Sequence, residues 1–259
     1  MRLKPLQIAI DGPIGSGKST AAAGVAKRLG IFLVDAGALY RAAALIVIRH
    51  KIRPDKAAEA AVLFRRAKII ERKPTEQEAD CRKITVLLDG EDISWAIRTH
   101  EIDDLVAKFA VYKEIIEAVH QKEREMSWSQ DVVIEGREIG TMVLPNAQVK
   151  VYLTADVHER AKRRFWEYEA KGDKTPHSEI VRALKERDEL DMKRVYAPLR
   201  KAEDAVLIDT TDKTVNEVAD EIIRLVPGEY LVKTNKLTND KLTNKPLINI
   251  KTNKPEKHL

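Results

Sequence analysis

Cysteine is nearly absent. Cys81 is the only one among 259 residues, so no disulfide can form within the chain. Proline and glycine are scarce, at 10 and 11 residues, which excludes collagen-like and loop-dominated chains. Long apolar runs are missing too. The longest, Ala42 to Ile48, is too short to cross a bilayer. The apolar stretch behind Met1 is shorter than a signal-peptide core and runs straight into a glycine loop. These absences read as a soluble, cytoplasmic protein with no membrane partner. The formal net charge is +5, but it is concentrated: from Gly228 onward seven Lys face only Glu229, Asp240 and Glu256. The rest of the chain is close to neutral, so nucleic acid is not an expected partner.

What is present is enough apolar content, 44%, for one core with a small inserted lobe. Leu6 to Ile10 and Ile31 to Val34 read as buried strands, each followed by a helix-forming segment. This β-α-β-α order predicts an α/β fold, a parallel sheet with helices on both faces. Residues 54–71 read as a helix and Ile84 to Leu88 as a strand; together they mark 52–97 as an insertion. A single long helix is expected after Thr99, with Ile102, Leu105, Val106, Phe109, Ile116 and Val119 at helical spacing. Strands follow at 132–134 and 149–153, then charged helices at 156–171 and 177–194, then a last strand and helix. The domain is expected to span 1–226. Residues 227–259, with KTNK and LTN repeated, read as a disordered Lys/Thr/Asn-rich tail.

Gly12, Pro13, Ile14, Gly15, Ser16, Gly17, Lys18 and Ser19 fit the pattern G-x-x-x-x-G-K-[ST], with Thr20 next. The pattern follows an apolar strand and opens a helix, the context in which it binds nucleotide phosphates. Glycines let backbone N–H groups turn inward around phosphate oxygens, and the helix N-terminus adds positive potential. Lys18 is then the cation for the β- and γ-phosphates, and the Ser19 hydroxyl a ligand for Mg²⁺. ATP with Mg²⁺ is the expected donor.

Open α/β sheets bind ligands at the carboxyl ends of their strands. Asp35 and Arg41 follow the second strand, and Glu135, Arg137 and Glu138 follow the third. The arginines suit an acceptor phosphate, and the carboxylates suit sugar hydroxyls or magnesium. Arg160, Arg163 and Arg164 share one helical face, and Arg187, Asp191 and Arg194 another. Two such helices joined near Gly172 predict a lid whose arginines stabilise a transferring phosphoryl group. A solvated surface with local ion pairs is the plainer reading of the same helices.

Several segments resemble the bacterial cytidylate kinases, within the nucleoside monophosphate kinases. They are IDGPIGSGKST, LVDAGALYRA, LDGEDISWAIRT, EGREIGTMVLPNAQVKVYLTA, ERAKRR, KERDELDMKR and APLRKAEDAVLIDT, in that order between Leu6 and Leu225. The resemblance implies a P-loop sheet with a helical lid and a monophosphate-binding lobe enlarged by a small β insertion. It implies phosphorylation of CMP and dCMP by ATP. Small-molecule nucleotides are the expected partners, and a monomer the expected state. The resemblance also implies that Asp35, Arg41, Arg137, Arg187, Asp191 and Arg194 surround the acceptor and the transferred phosphate, with Arg160 and Arg164 in the lid. The chain departs from the family at Ala36 and Glu138, where serine and aspartate are usual. It departs again at Ala107 and Ile116, which align with a base-contacting serine and arginine, so weakened base discrimination is expected. Two other readings remain: a P-loop kinase for another monophosphate or small acceptor, and a non-catalytic nucleotide-binding module whose basic tail contacts RNA.

Overall fold

The computed structural model describes residues 4–53, 55–170 and 172–231. Strand β1 (Gln7–Asp11) has an apolar centre, Ile8 to Ile10, and is buried almost throughout, as suits a central parallel strand. It pairs in parallel with β6 (Val132–Gly136) on one side and β7 (Val149–Thr154) on the other. With β2 (Phe32–Asp35) and β8 (Val206–Asp209), these form a five-stranded parallel sheet in the order β2-β6-β1-β7-β8. The register sets Asp11 beside Gly136 and Asp35 beside Glu135, so three strands end side by side. Everything the sequence marked as phosphate-binding on those strands therefore opens at one edge of the sheet.

Helix α1 (Lys18–Leu29) packs on α8 (Val215–Arg224), while α2 (Ala36–Arg49) lies against α3 (Ala57–Arg66) and two later helices. Asp35 caps α2 by accepting from the Ala38 N–H at 3.0 Å, which fixes its carboxylate at the sheet edge. An antiparallel sheet of β3 (Ile69–Arg72), β4 (Thr85–Leu88) and β5 (Glu91–Asp92) falls inside the 52–97 segment. The helix expected over 54–71 ends at Arg66. From Ile69 burial alternates along the chain, and the paired β-branched residues form an edge against β4 instead.

The long helix expected after Thr99 is two helices, α4 (His100–Phe109) and α5 (Lys113–Ser127). Thr99 does cap α4. The break falls at Ala110 to Tyr112, where Tyr112 is extended and its ring packs edge-on against Phe109. A β-branched residue followed by an aromatic loses side-chain freedom in a helix, and here a ring contact outside the helix replaces it. Helices α6 (Val157–Glu169) and α7 (His177–Met192) match the two charged segments.

Packed residues continue past the boundary expected at 226. Tyr230 is buried in the main core and Leu231 packs against that core. Residues 232–259, the greater part of the expected tail, lie outside the described residues. Truncation after Leu231 is expected to leave kcat within about twofold, since low-complexity chain contributes little to a packed domain. Truncation after Pro227 also removes Tyr230, and is expected to cost about 2 kcal/mol of stability. Melting curves of the two truncations check this; equal melting temperatures would mean Tyr230 contributes nothing.

Candidate active site

The glycine loop crosses from the end of β1 to the start of α1. Gly12 (φ 150°) passes so close to β7 that a Cβ there would lie 2.1 Å from the Leu153 carbonyl oxygen. Gly15 (φ 76°) has the left-handed backbone of a turn and abuts Arg160, whose Cβ would lie 3.1 Å from an added one. A side chain is excluded at Gly12 by that contact and disfavoured at Gly15 by its left-handed backbone, so both positions stay glycine.

Lys18 is buried and its Nζ donates to the Pro13 carbonyl at 2.8 Å. Burial, reinforced by the charge of Arg137, lowers its pKa to about 7, while Glu135, Asp11 and Asp191 pull the other way. Ser19 Oγ donates to Glu135 Oε1 at 2.7 Å. Burial, with the charge of Asp35, raises the Glu135 pKa against the pull of Lys18, Ser19 and Arg137. Thr20 Oγ1 accepts from Lys83 Nζ at 2.8 Å, so the segment before β4 touches the first turn of α1, just after the glycine loop.

A crevice of about 1260 Å³ runs along this edge. That exceeds the usual volume of about 300–1,000 Å³ for one small ligand and suits two. Ile14 to Thr20 form one wall. Asp35, Arg41, Arg137, Glu138, Arg164, Arg187 and Arg194 line the rest. The structure thus brings together the phosphate loop and most of the side chains named from sequence.

Three of those arginines meet on one carboxylate. Asp191, 1% exposed, accepts from Arg137 Nε at 2.9 Å and Arg194 Nη2 at 2.5 Å, and lies 3.2 Å from Arg187 Nε. Burial opposes its ionisation, yet Arg137, Arg187 and Arg194 outweigh that and hold its pKa below the usual carboxylate value. Arg41 donates to Asp103 Oδ1 at 2.9 Å, and Arg164 to Glu167 Oε2 at 2.6 Å.

Arg160, expected in the lid, lies on α6 but turns away from the crevice. It is buried, forks onto Asp188 at 3.1 and 2.7 Å, and donates to the Ile14 carbonyl at 3.1 Å. It tethers α6 and α7 to the back of the glycine loop and does not line the crevice. The reason is its register: on the helical face that carries Arg160, Arg163 and Arg164, the first points inward to the loop. Arg163, its neighbour, lines the crevice instead and grips Thr210 through the hydroxyl at 3.1 Å and the carbonyl at 2.6 Å. Of the positions where the chain departs from the family, Ala36 lines the crevice. Ala107 is exposed and outside it, and Ile116 is fully buried in α5.

Asp11 and Arg98 are among the residues that escaped the sequence reading. Asp11 ends β1 and accepts from the N–H groups of Ile139 and Gly140 at 2.8 and 2.7 Å. Burial pushes its pKa up to about 7 against those two donors. It anchors a π-helical turn, Ile139–Val143, directly after Glu138. Its signal in the sequence was a lone carboxylate ending an otherwise apolar strand. Arg98 lines the crevice with its Nη2 4.0 Å from Asp35 Oδ2. It sits in the segment LDGEDISWAIRT, which carried the resemblance without a role for this residue.

A parallel sheet, a glycine loop opening a helix and a cation-lined crevice at the strand ends define the class of P-loop nucleotide-binding proteins. The sequence profile described as cytidylate kinase matches residues 8–228. Among curated relatives, the cytidylate kinase of Caldicellulosiruptor bescii is 39% identical over 227 residues, covering 86% of this chain and 96% of that protein. That of Alkaliphilus oremlandii is 40% identical over 223 residues, covering 86% and 98%. That of Halalkalibacterium halodurans is 39% identical over 224 residues, again covering 86% and 98%. The chain belongs to the cytidylate kinase family. Among the described residues no helix is long and apolar enough to cross a membrane.

Proposed function

We propose that the chain transfers the γ-phosphoryl group of ATP to CMP and dCMP, as a cytoplasmic monomer. Family membership supports the reaction class. The observation that carries the reading is two separate cationic sets in one crevice, each suited to a phosphate. One is the glycine loop with Lys18; the other is Arg41 with the arginines gathered on Asp191. A kinase for a neutral alcohol has no use for the second set, and a non-catalytic module has no use for both.

In this reading the loop N–H groups and Lys18 hold the donor phosphates, Lys18 turning from the Pro13 carbonyl to them. Arg41 and Arg137 hold the acceptor phosphate, one oxygen of which attacks the γ-phosphorus as the bond to ADP breaks. Arg187, Arg194 and Arg164 stabilise the charge spread over the equatorial oxygens. Asp191 orients that arginine set, and Arg160 positions the loop through the Ile14 carbonyl. Ser19 and Glu135, hydroxyl and carboxylate 2.7 Å apart at the end of β6, are the residues that would hold a Mg²⁺ ion. When bound, that ion neutralises phosphate charge. The β3-β4-β5 lobe is assigned to the monophosphate side, with Asp35 and Glu138 toward the acceptor nucleoside.

An ADP-release assay across acceptors tests the assignment. CMP and dCMP are expected to be best. The apolar surface at Ala36 supplies shape rather than hydrogen bonds, and such discrimination is worth about 1–3 kcal/mol, so CMP should exceed UMP by roughly 10–200-fold. Best turnover with AMP or with a non-nucleotide alcohol would overturn the acceptor; no ADP release with any acceptor would overturn the enzyme.

A further inference from the structure

Behind the crevice lies a buried polar group that the proposed reaction does not use. His120, on the inward face of α5, is 2% exposed. Its Nε2 lies 3.0 Å from Glu138 Oε1. The Tyr40 hydroxyl donates to the same oxygen, also at 3.0 Å. Glu138 is itself 2% exposed and lines the crevice. Its other oxygen, Oε2, is buried without any hydrogen-bond partner. The nearest cation to it is Arg194, a crevice residue, with Nη1 at 3.9 Å, beyond hydrogen-bond reach.

An oxygen of a buried carboxylate left without a donor is costly, and native structures keep few of them. With the proton of His120 on Nε2, Oε1 has two donors and Oε2 none, an asymmetric arrangement. It fixes the carboxylate plane and leaves one acceptor oxygen to be satisfied by something that arrives. Glutamate has three rotatable bonds. Without fixed partners its carboxylate would swing across the 3.9 Å gap to Arg194 and be neutralised there.

We infer that His120 is a positioning residue: with Tyr40 it pins Oε1 of Glu138, so that Oε2 is held as the acceptor for a hydrogen-bond donor on the acceptor nucleoside. The donor is the amino group of the base or a hydroxyl of the sugar, which share this chemistry. The inference rests on the proposed nucleoside monophosphate acceptor and adds what holds its specificity.

The test compares wild type with His120→Leu, His120→Gln and Tyr40→Phe, measuring calorimetric Kd and kcat/KM for CMP, UMP and dCMP. CMP and UMP differ at the base amino group; CMP and dCMP differ at the 2′-hydroxyl. His120→Leu is expected to raise Kd for CMP about tenfold, the order of one charge-assisted hydrogen bond, with KM for ATP unchanged. It should also collapse one of the two ratios, CMP:UMP if the amino group is read or CMP:dCMP if the hydroxyl is. His120→Gln, which restores an N–H donor, should recover that ratio. Tyr40→Phe, which opens no cavity, should move the same ratio and serves if the leucine variant fails to fold. Both ratios unchanged in His120→Leu and Tyr40→Phe, with all acceptors weakened equally, would make His120 merely structural and overturn the inference. That outcome leaves turnover of CMP by wild type intact, whereas a wild type that binds no nucleoside monophosphate would overturn both readings.

Discussion

Lys18→Met is expected to lower kcat by at least about 10²-fold, the scale of losing one electrostatic stabiliser of a transition state. The fold should survive, because the side chain Lys18 loses is an amine whose one hydrogen bond is to the Pro13 carbonyl at 2.8 Å. The substitution should even stabilise the empty protein near neutral pH. The folded pKa of Lys18 is lowered to about 7, below its unfolded value of 10.5. A base depressed in this way costs nothing above the unfolded pKa. The cost grows as pH falls from about 10.5 toward 7 and is fully present below that. Methionine carries no such cost. The variant should therefore melt at or above wild type at pH 7, and the gap should close toward pH 10. Bound polyphosphate brings negative charge to the ammonium, so ATP binding to wild type should take up a proton near pH 8. Calorimetry in buffers of different ionisation enthalpy reads that uptake, and Lys18→Met should lack it. Turnover within tenfold of wild type in a folded variant would remove Lys18 from the reaction.

The glycine loop was legible because its constraints are local. A strand, a turn of glycines and a helix start are encoded in consecutive residues: Gly12 sits where the surroundings reject a Cβ, and Gly15 holds a left-handed backbone. The parallel sheet was legible for a related reason: doubly buried strands read as unbroken apolar runs. What failed was whatever depended on neighbours distant in the chain. Ile69 and Ile70 read as the end of a helix until β4 supplied a pairing edge. The turn at Ala110 to Tyr112 is invisible in a hydrophobic period that continues through it. Arg160 and Arg163 differ by less than one helical turn, and only the docked helix decides that one tethers the loop while the other lines the crevice. Asp11 and His120 have no motif at all; both matter through partners far along the chain, Gly140 and Glu138.

Asp191→Asn is expected to cost about 3–5 kcal/mol of stability, the range for breaking a buried ionic set by removing one partner. At roughly 2–4 °C per kcal/mol for a domain of this size, the melting temperature should fall by about 10 °C. The substitution preserves shape, so the effect isolates charge. Arg137, Arg187 and Arg194 would remain together around a neutral amide, and wherever the amide nitrogen faces a guanidinium two donors oppose each other. The pH dependence has a definite sign. Asp191 has a folded pKa below its unfolded value of 3.8. Its contribution is present above that value and lost as pH falls through the folded one, so the difference between wild type and variant should shrink in acid. The same three guanidiniums bind phosphate in the proposed reaction, which gives the variant a distinctive response. A dianion entering the crevice supplies the charge that Asp191 no longer does. Millimolar CMP, or inorganic phosphate alone, should therefore raise the melting temperature of Asp191→Asn by more than that of wild type. Catalysis should not recover in parallel, because a phosphate drawn into the place of the carboxylate is held away from the attacking line, and kcat/KM for CMP is expected to stay down by on the order of 10²-fold. A variant that melts within 2 °C of wild type, or that gains no more from phosphate than wild type does, would mean the three arginines are not held by this carboxylate.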